Sequence, residues 1–386
     1  MFAIFKTFLW LGLTSFGGPM AHIAIFRRVF VEQQKRISDE AYANLVALCQ
    51  LIPGPASSQV GLALGYRFGG AAGALVAWLG FTLPSALLMG LGAYLWLSGA
   101  FIEMGWVILA FKLVAVGVVT QAVIGMWGTL CVERTARIVA LLAAILFYQF
   151  PNAWMQLALI GAALVGGDVQ YRVAGERAIE TPRAGRQSAF GLSLVGLVFG
   201  FVAVFSVWDF TGPLWDIVRG HFISGALVFG GGHVVLPLLQ AEFVPPLGEA
   251  EFLAGYGLVQ AMPGPLFTLA AYLGVLVAPE TPWIGAALAV VMVFLPGLVL
   301  LTAGGLLGKQ WMPWLRPRLS LVNAAVVGLL LSVLVHPVFT QSAYSGATTA
   351  LAMVSLLMAV VWKRSPLELV AAMLVLSFAM QWMNWI

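Results

Sequence analysis

The chain repeats itself. Phe16-Gly17-Gly18 returns as Phe229-Gly230-Gly231, and Gln50-Leu51-Ile52-Pro53-Gly54-Pro55 returns as Gln260-Ala261-Met262-Pro263-Gly264-Pro265. Leu83-Pro84 returns as Leu295-Pro296, Ala115-Val116-Gly117 as Val326-Val327-Gly328, and Pro151 as Pro366. The pairs keep their order at separations of 210 to 215 positions, which chance rarely produces. The expected architecture is two copies of one unit, residues 1–167 and 216–386. Between them, 168–215 holds a charged loop from Asp168 to Gln187 and one extra apolar segment, 190–208.

The solvent for such a unit follows from its side chains. Charged residues make up 9% of the chain and apolar ones 61%, against roughly 25% charged in soluble domains. In water so few charges would leave large apolar patches exposed. Unbroken apolar runs such as Gly70 to Leu97 read as helices, since strands of a membrane barrel would alternate. The fold class expected is therefore an all-α, multi-pass integral membrane protein. Cys49 and Cys131 are far apart and form no metal or disulfide pattern. No metal and no cofactor is expected, and no basic cluster suggests nucleic acid as a partner. Met1 to Trp10 runs into the first structural segment with no sign of a cleavable signal.

Charge distinguishes the two copies. The loop after the first GG motif holds Arg27, Arg28, Lys35 and Arg36, and its counterpart holds Glu242, Glu249 and Glu251. Arg67 corresponds to Glu280, and Arg134 and Arg137 to an uncharged turn around Thr340. Conversely, Glu103 corresponds to Lys309, Arg316 and Arg318, and the bare turn 149–152 to Lys363 and Arg364. Bases concentrate in cytoplasmic loops, so the copies are expected to be inverted-topology repeats. Each has about six hydrophobic segments, and the extra transmembrane helix at 190–208 turns the second copy over. The N-terminus is then cytoplasmic and the C-terminus periplasmic. If the loop at 26–36 is cytoplasmic, 3–25 and 41–67 are re-entrant helical hairpins, whose arms are too short to span. The alternative is a pair of kinked full crossings that leaves four bases outside.

Gly17-Gly18-Pro19 and Pro53-Gly54-Pro55 should each stop one helix and start another. A new helix start presents unpaired N–H groups and partial positive charge, which suits an anion. Four such breaks, two per copy, are expected to converge near the midplane. Thr14 and Ser15 precede the first break, Ser57, Ser58 and Gln59 follow the second, and Thr268 follows Gly264. The bland reading of any one break is a kink or close helix packing. Lys112 is the base placed within a predicted crossing, a candidate cation for the substrate or a snorkelling side chain, and its repeat partner is Asn323. His22 and His233 stand beside the breaks as candidate donors or as local packing residues. Gln50 and Gln260 match each other as candidate ligands or interhelical hydrogen-bond partners.

Thr14-Ser15-Phe16-Gly17-Gly18-Pro19 with His22, and Leu48-Cys49-Gln50 through Gly61, resemble the first domain of the chromate ion transporter family. Phe229 through Leu239, and Gly255-Tyr256-Gly257 through Phe267, resemble its second domain, in the long two-domain bacterial form. The resemblance implies chromate export across the bacterial inner (plasma) membrane, conferring chromate resistance, with sulfate as competitor or exchange partner. It makes the chain a secondary transporter whose partners are the oxyanion and the lipid bilayer, and a homodimer is allowed. The alternative is an uptake carrier or exchanger for sulfate or another oxyanion. A membrane enzyme is disfavoured, because no CxxC, haem or flavin motif and no carboxylate within a predicted crossing is present.

Overall fold

The computed structural model describes residues 1–99, 105–173, 185–208, 211–229, 232–308 and 311–383. Gly230, Gly231, Glu103, Lys309 and the centre of the 168–187 loop lie outside the described residues. Among the described residues the regular structure is entirely helical. Five helices are long and apolar enough to cross a membrane: Ala56–Leu97, Gly105–Leu130, Arg186–Val207, Pro282–Leu307 and Ser320–Ser342, the last including π-helical turns.

From the N-terminus, α1 (Phe2–Thr14) and α2 (Gly18–Arg27, extended by a π-helical turn) are followed by α3 (Asp39–Leu51) and α4 (Ala56–Leu97). Ser38 caps α3 by accepting from the Ala41 N–H, and Asp39 and Glu40 complement its dipole. The hydrogen bond from Arg27 holds the Asp39 carboxyl below its usual range. α4 is not straight. Gly69 and Gly70 leave helical geometry, Gly70 with φ of 61°, dividing it into a 56–68 arm and a 71–97 arm. An arm of α1, α2, α3 or 56–68 reaches only about 20 Å or less at 1.5 Å per residue, short of the roughly 30 Å hydrocarbon core. α5 (Gly105–Leu130), α6 (Arg134–Gln149), α7 (Ala153–Val173) and α8 (Arg186–Val207) follow.

The remainder runs α9 (Pro213–Leu227), a 3-10 turn at Gly232–Val234, α10 (Val235–Leu247) and α11 (Glu249–Ala261). After a 3-10 turn at Leu266–Thr268 come α12 (Leu269–Val277), α13 (Pro282–Leu307) and α14 (Met312–Arg318). α15 (Ser320–Val333) passes through a π-helical segment into α16 (Thr340–Ser342). α17 (Gly346–Leu356) and α18 (Pro366–Trp382) each begin with a capping box, from Ser345 and Ser365.

The long-range packing crosses the chain. α6 and α7 lie along α15, while α17 and α18 lie along α5. Small residues allow the approach: a Cβ on Gly328 would strike the Ala140 carbonyl, and one on Gly117 would strike Ser355. The Ser355 hydroxyl donates to the Leu113 carbonyl at 2.7 Å in that second seam. α8 packs on α13 and α9 but keeps most of its surface exposed. Arg318 pairs with Asp168 at 2.8 Å and stacks over Trp314 and Tyr171, fastening α14 to the end of α7.

Candidate functional site

Each break forms where backbone geometry demands glycine. Gly17 and Gly18 have φ of 99° and 78°, and Gly54 and Gly264 have φ of 128° and 95°. These values are strained for any residue with a Cβ. Pro19 then occupies the first turn of α2, where a missing N–H costs nothing, and Pro55 caps the start of α4.

The breaks are tied together reciprocally. The Gly54 N–H donates to the Val228 carbonyl at 2.7 Å, and the Gly264 N–H donates to the Ser15 carbonyl at 2.8 Å. Val228 stands 213 positions after Ser15 and Gly264 stands 210 after Gly54, so these are the same bond made twice. A second layer repeats the correspondence. Gly54 lies against Gly297, and Gly264 lies against Ser85, each of which directly follows a repeated Leu-Pro pair. The Gln59 amide donates to the Pro53 carbonyl at 2.9 Å and the Gly297 carbonyl at 3.0 Å. On the other side, Thr268 donates to the Pro265 carbonyl and its Oγ1 lies 2.5 Å from the Ser85 hydroxyl. The two GG regions also meet: Gly18 faces the His233 ring, and Gly232 faces Pro19.

The buried polar groups here carry spare hydrogen-bonding capacity. Ser15 Oγ, Ser58 Oγ and Gln59 Oε1 are buried without a protein partner, a costly state unless something else satisfies them. The Gly54 and Gly264 N–H groups are committed to protein carbonyls. The groups left here to meet a ligand would be side chains and first-turn N–H groups. His22 is buried, with Nε2 3.2 Å from the Ser15 carbonyl and Nδ1 3.4 Å from the Ser57 hydroxyl. Since a carbonyl can only accept, Nε2 carries a proton, and in a neutral ring Nδ1 would accept from the Ser57 hydroxyl. His233 is partly exposed and meets the Tyr256 hydroxyl at 2.9 Å through Nδ1.

Of the residues singled out in the sequence, Ser15, Gly17, Gly18, His22, Gly54, Ser57, Ser58, Gln59, His233, Gln260, Gly264 and Thr268 belong to this region. Gln50 lies at its edge and is exposed, unlike buried Gln260. Thr14 is exposed and turns its hydroxyl back to the Trp10 carbonyl at 2.7 Å. Lys112 is not at the breaks; the charges acting on it are Glu251 and Glu249 in the first turn of α11. Asn323 lies in the first turn of α15. Gly230 and Gly231 lie outside the described residues. Ser85, Gly297 and Tyr256 join the site without having been singled out. The first two could have been found from their place after the repeated Leu-Pro. Among the described residues no cluster of three or more His, Cys, Asp or Glu could hold a metal ion.

Replacing His22 by Phe keeps a ring against Phe81, whose centroid lies 5.2 Å away, but removes both polar contacts. Leaving a buried acceptor or donor unpaired costs about 1–3 kcal/mol. The expected result is a lower thermal midpoint in detergent together with a transport rate reduced more than severalfold. Wild-type values for both in His22→Phe would show that the ring serves packing alone.

Five helices long and apolar enough to cross a membrane, with shorter ones interrupted around a buried polar centre, fit the class of multi-pass membrane proteins. The particular family follows from comparison. The model of the chromate transporter family matches residues 2–167 and again 215–380, and the chain belongs to that family. It is 28% identical over 309 residues to a chromate transport protein of Pseudomonas aeruginosa, covering 76% of this chain and 70% of that one. A chromate transport protein of Cupriavidus metallidurans is 27% identical over 305 residues, 75% and 70% of the two chains. An uncharacterized transporter of Methanocaldococcus jannaschii is 27% identical over 321 residues, 77% and 74%. No solved structure matches the chain.

Proposed function

We propose that this protein exports chromate-type oxyanions across the bacterial inner membrane as a secondary transporter, and that the four breaks hold the ion. The observation that carries this reading is the reciprocal pair of bonds, Gly54 to Val228 and Gly264 to Ser15. It gathers breaks from both ends of the chain around buried hydroxyl and amide groups that lack protein partners. Hydroxyls, amides and helix starts donate to a dianion without bringing a fixed charge into hydrocarbon. Two relatives named for chromate transport supply the ion.

The halves 1–167 and 216–386 act as an inverted pair, with α8 supplying the crossing between them. Contacts at the helix ends support this reading. Arg27 with Asp39, Glu133 with Gln170 and Asp168 with Arg318 would share the cytoplasmic face. Glu249, which meets Gln341 at 2.5 Å and His336 at 3.6 Å, would stand on the other. α1 with α2, and α3 with the first arm of α4, then form hairpins that enter and return.

Export fits the energetics. With the interior negative, each expelled charge gains roughly 2.3 kcal/mol per 100 mV, and a dianion about twice that. The test is flux in proteoliposomes under an imposed potential. Chromate is expected to move toward the positive side, to saturate and to be inhibited by sulfate. Movement of sulfate with none of chromate would overturn the substrate, and chromate flux indifferent to the potential would overturn the energetics.

A further inference from the structure

The two copies are not in the same conformation. α3 and α11 correspond at 210 positions, and α15 and α5 at 211. α11 is closed onto α5: Gly257 lies so near Phe111 that a Cβ there would strike the Phe111 backbone. The space remaining at that seam is about 20 Å³, lined among others by Gly92, Ile108, Phe111 and Leu258. The corresponding place in the other copy holds a cavity of about 300 Å³, lined among others by Gly304, Leu319, Val322 and Leu48. These four residues are the repeat partners of the previous four. The cavity thus lies between α3 and the start of α15, with α7, α8, α13 and α14 completing its walls, and α3 makes no packing with α15 comparable to that of α11 with α5.

Burial tells the same story. Leu253, Ala254 and Gln260 of α11 are buried, whereas their counterparts Ala43, Asn44 and Gln50 of α3 are exposed. Buried Gly255, Tyr256 and Gly257 correspond to half-buried Leu45, Val46 and Ala47, while Cys49 matches the burial of its counterpart Val259. The cavity cannot be the seat of the oxyanion itself, since leucine, isoleucine, phenylalanine and tryptophan line it and an unpaired charge among them would be expensive. Its shape and chemistry fit an apolar helix face. Charge distinguishes the two seams. Lys112, next to Phe111, lies within electrostatic reach of Glu251 and Glu249 on α11, while its counterpart Asn323 is neutral.

We propose that α3 and α11 are the two gates of the transporter, here with α3 open and α11 shut. In the opposite state α3 fills the 300 Å³ cavity and α11 leaves α5. Ala47 then stands against Val322 as Gly257 now stands against Phe111. On the inverted-repeat reading above, on which the sidedness rests, the present state is open to the cytoplasm and Lys112 latches the periplasmic gate.

The test uses the full chain in proteoliposomes with Cys49 and Cys131 replaced by Ala, carrying Ala47→Cys with Val322→Cys. A disulfide requires Cα atoms within about 7 Å, so it reports closure of α3. Oxidation is expected to link the pair and stop transport, and reduction to restore it. With the link formed, a single cysteine from Gln260→Cys should label severalfold faster with a membrane-impermeant maleimide added outside. Lys112→Gln should raise the same labelling without any link. Absence of the link under turnover conditions, as an acyl chain permanently filling the cavity would cause, overturns the proposal. So does a link that leaves transport and Gln260→Cys labelling unchanged. Linking and labelling need no particular ion. If position 260 opens on linking while the same protein with Gln260 intact moves no chromate, the gates are retained and only the substrate is rejected.

Discussion

Gly54→Ala is expected to abolish transport and to reduce the yield of folded protein sharply. The added Cβ would stand 2.6 Å from Gln59 Nε2 and 2.9 Å from the Gly297 Cα, on a backbone with φ of 128°. Strained backbone costs about 1–3 kcal/mol, and overpacking adds about 1–3 kcal/mol. Relief by movement would break the Gly54–Val228 bond and dislodge the Gln59 amide from the Pro53 and Gly297 carbonyls together. Gly264→Ala is the informative companion. Its Cβ would meet Ser85 Cβ at 3.1 Å, with φ of 95°, so it should be the milder of the two. Thermal midpoints in detergent and chromate flux should both rank wild type above Gly264→Ala above Gly54→Ala. Equal behaviour of all three would remove the interlocked breaks as the centre of the molecule.

The second large effect lies away from the site. Gly328→Leu would drive a side chain into the Ala140 carbonyl where α15 meets α6, and Gly117→Leu would do the same at Ser355 on α17. Inside a bilayer these helices are held by close packing rather than by exclusion of water, so the seam has little else to rely on. Both variants are expected to elute as aggregates by size-exclusion chromatography. Gly346→Leu, where nothing lies within 4 Å, should elute as wild type. A monodisperse, active Gly328→Leu would mean that the crossing of the two halves is not what holds the helices together.

Much of the helical plan was legible in the residues. Glycine and proline mark the ends of α1 and α3 within two or three residues, because local φ preferences decide where a helix stops. The second match of the family model, at 215–380, falls where the motifs recur. Three features were not legible. The Gly54 and Gly264 N–H groups bond across the chain to Val228 and Ser15, and no local preference encodes a partner more than a hundred positions away. Lys112 could be recognised as unusual, but its neighbours Glu249 and Glu251 come from a different helix. The identical spacing of α3 and α11 gave no hint that Ala43, Asn44 and Gln50 are exposed while their counterparts Leu253, Ala254 and Gln260 are buried. A repeated sequence specifies two equivalent helices, whereas a transporter at any moment holds them in different surroundings.

The crossed packing also sets an order of events at the ribosome. α6 and α7 are translated long before α15, and α5 long before α17 and α18. When α8 enters the membrane, the glycine face around Gly117, the Gly54 amide and the Ser15 carbonyl all still await residues beyond 208. The first half must therefore persist in lipid as an unfinished structure, its broken helices sheltered by insertion machinery or by one another. Assembly is completed from the far end of the chain, and a message truncated after α8 would yield an inserted protein lacking both the Gly54–Val228 and the Gly264–Ser15 bond.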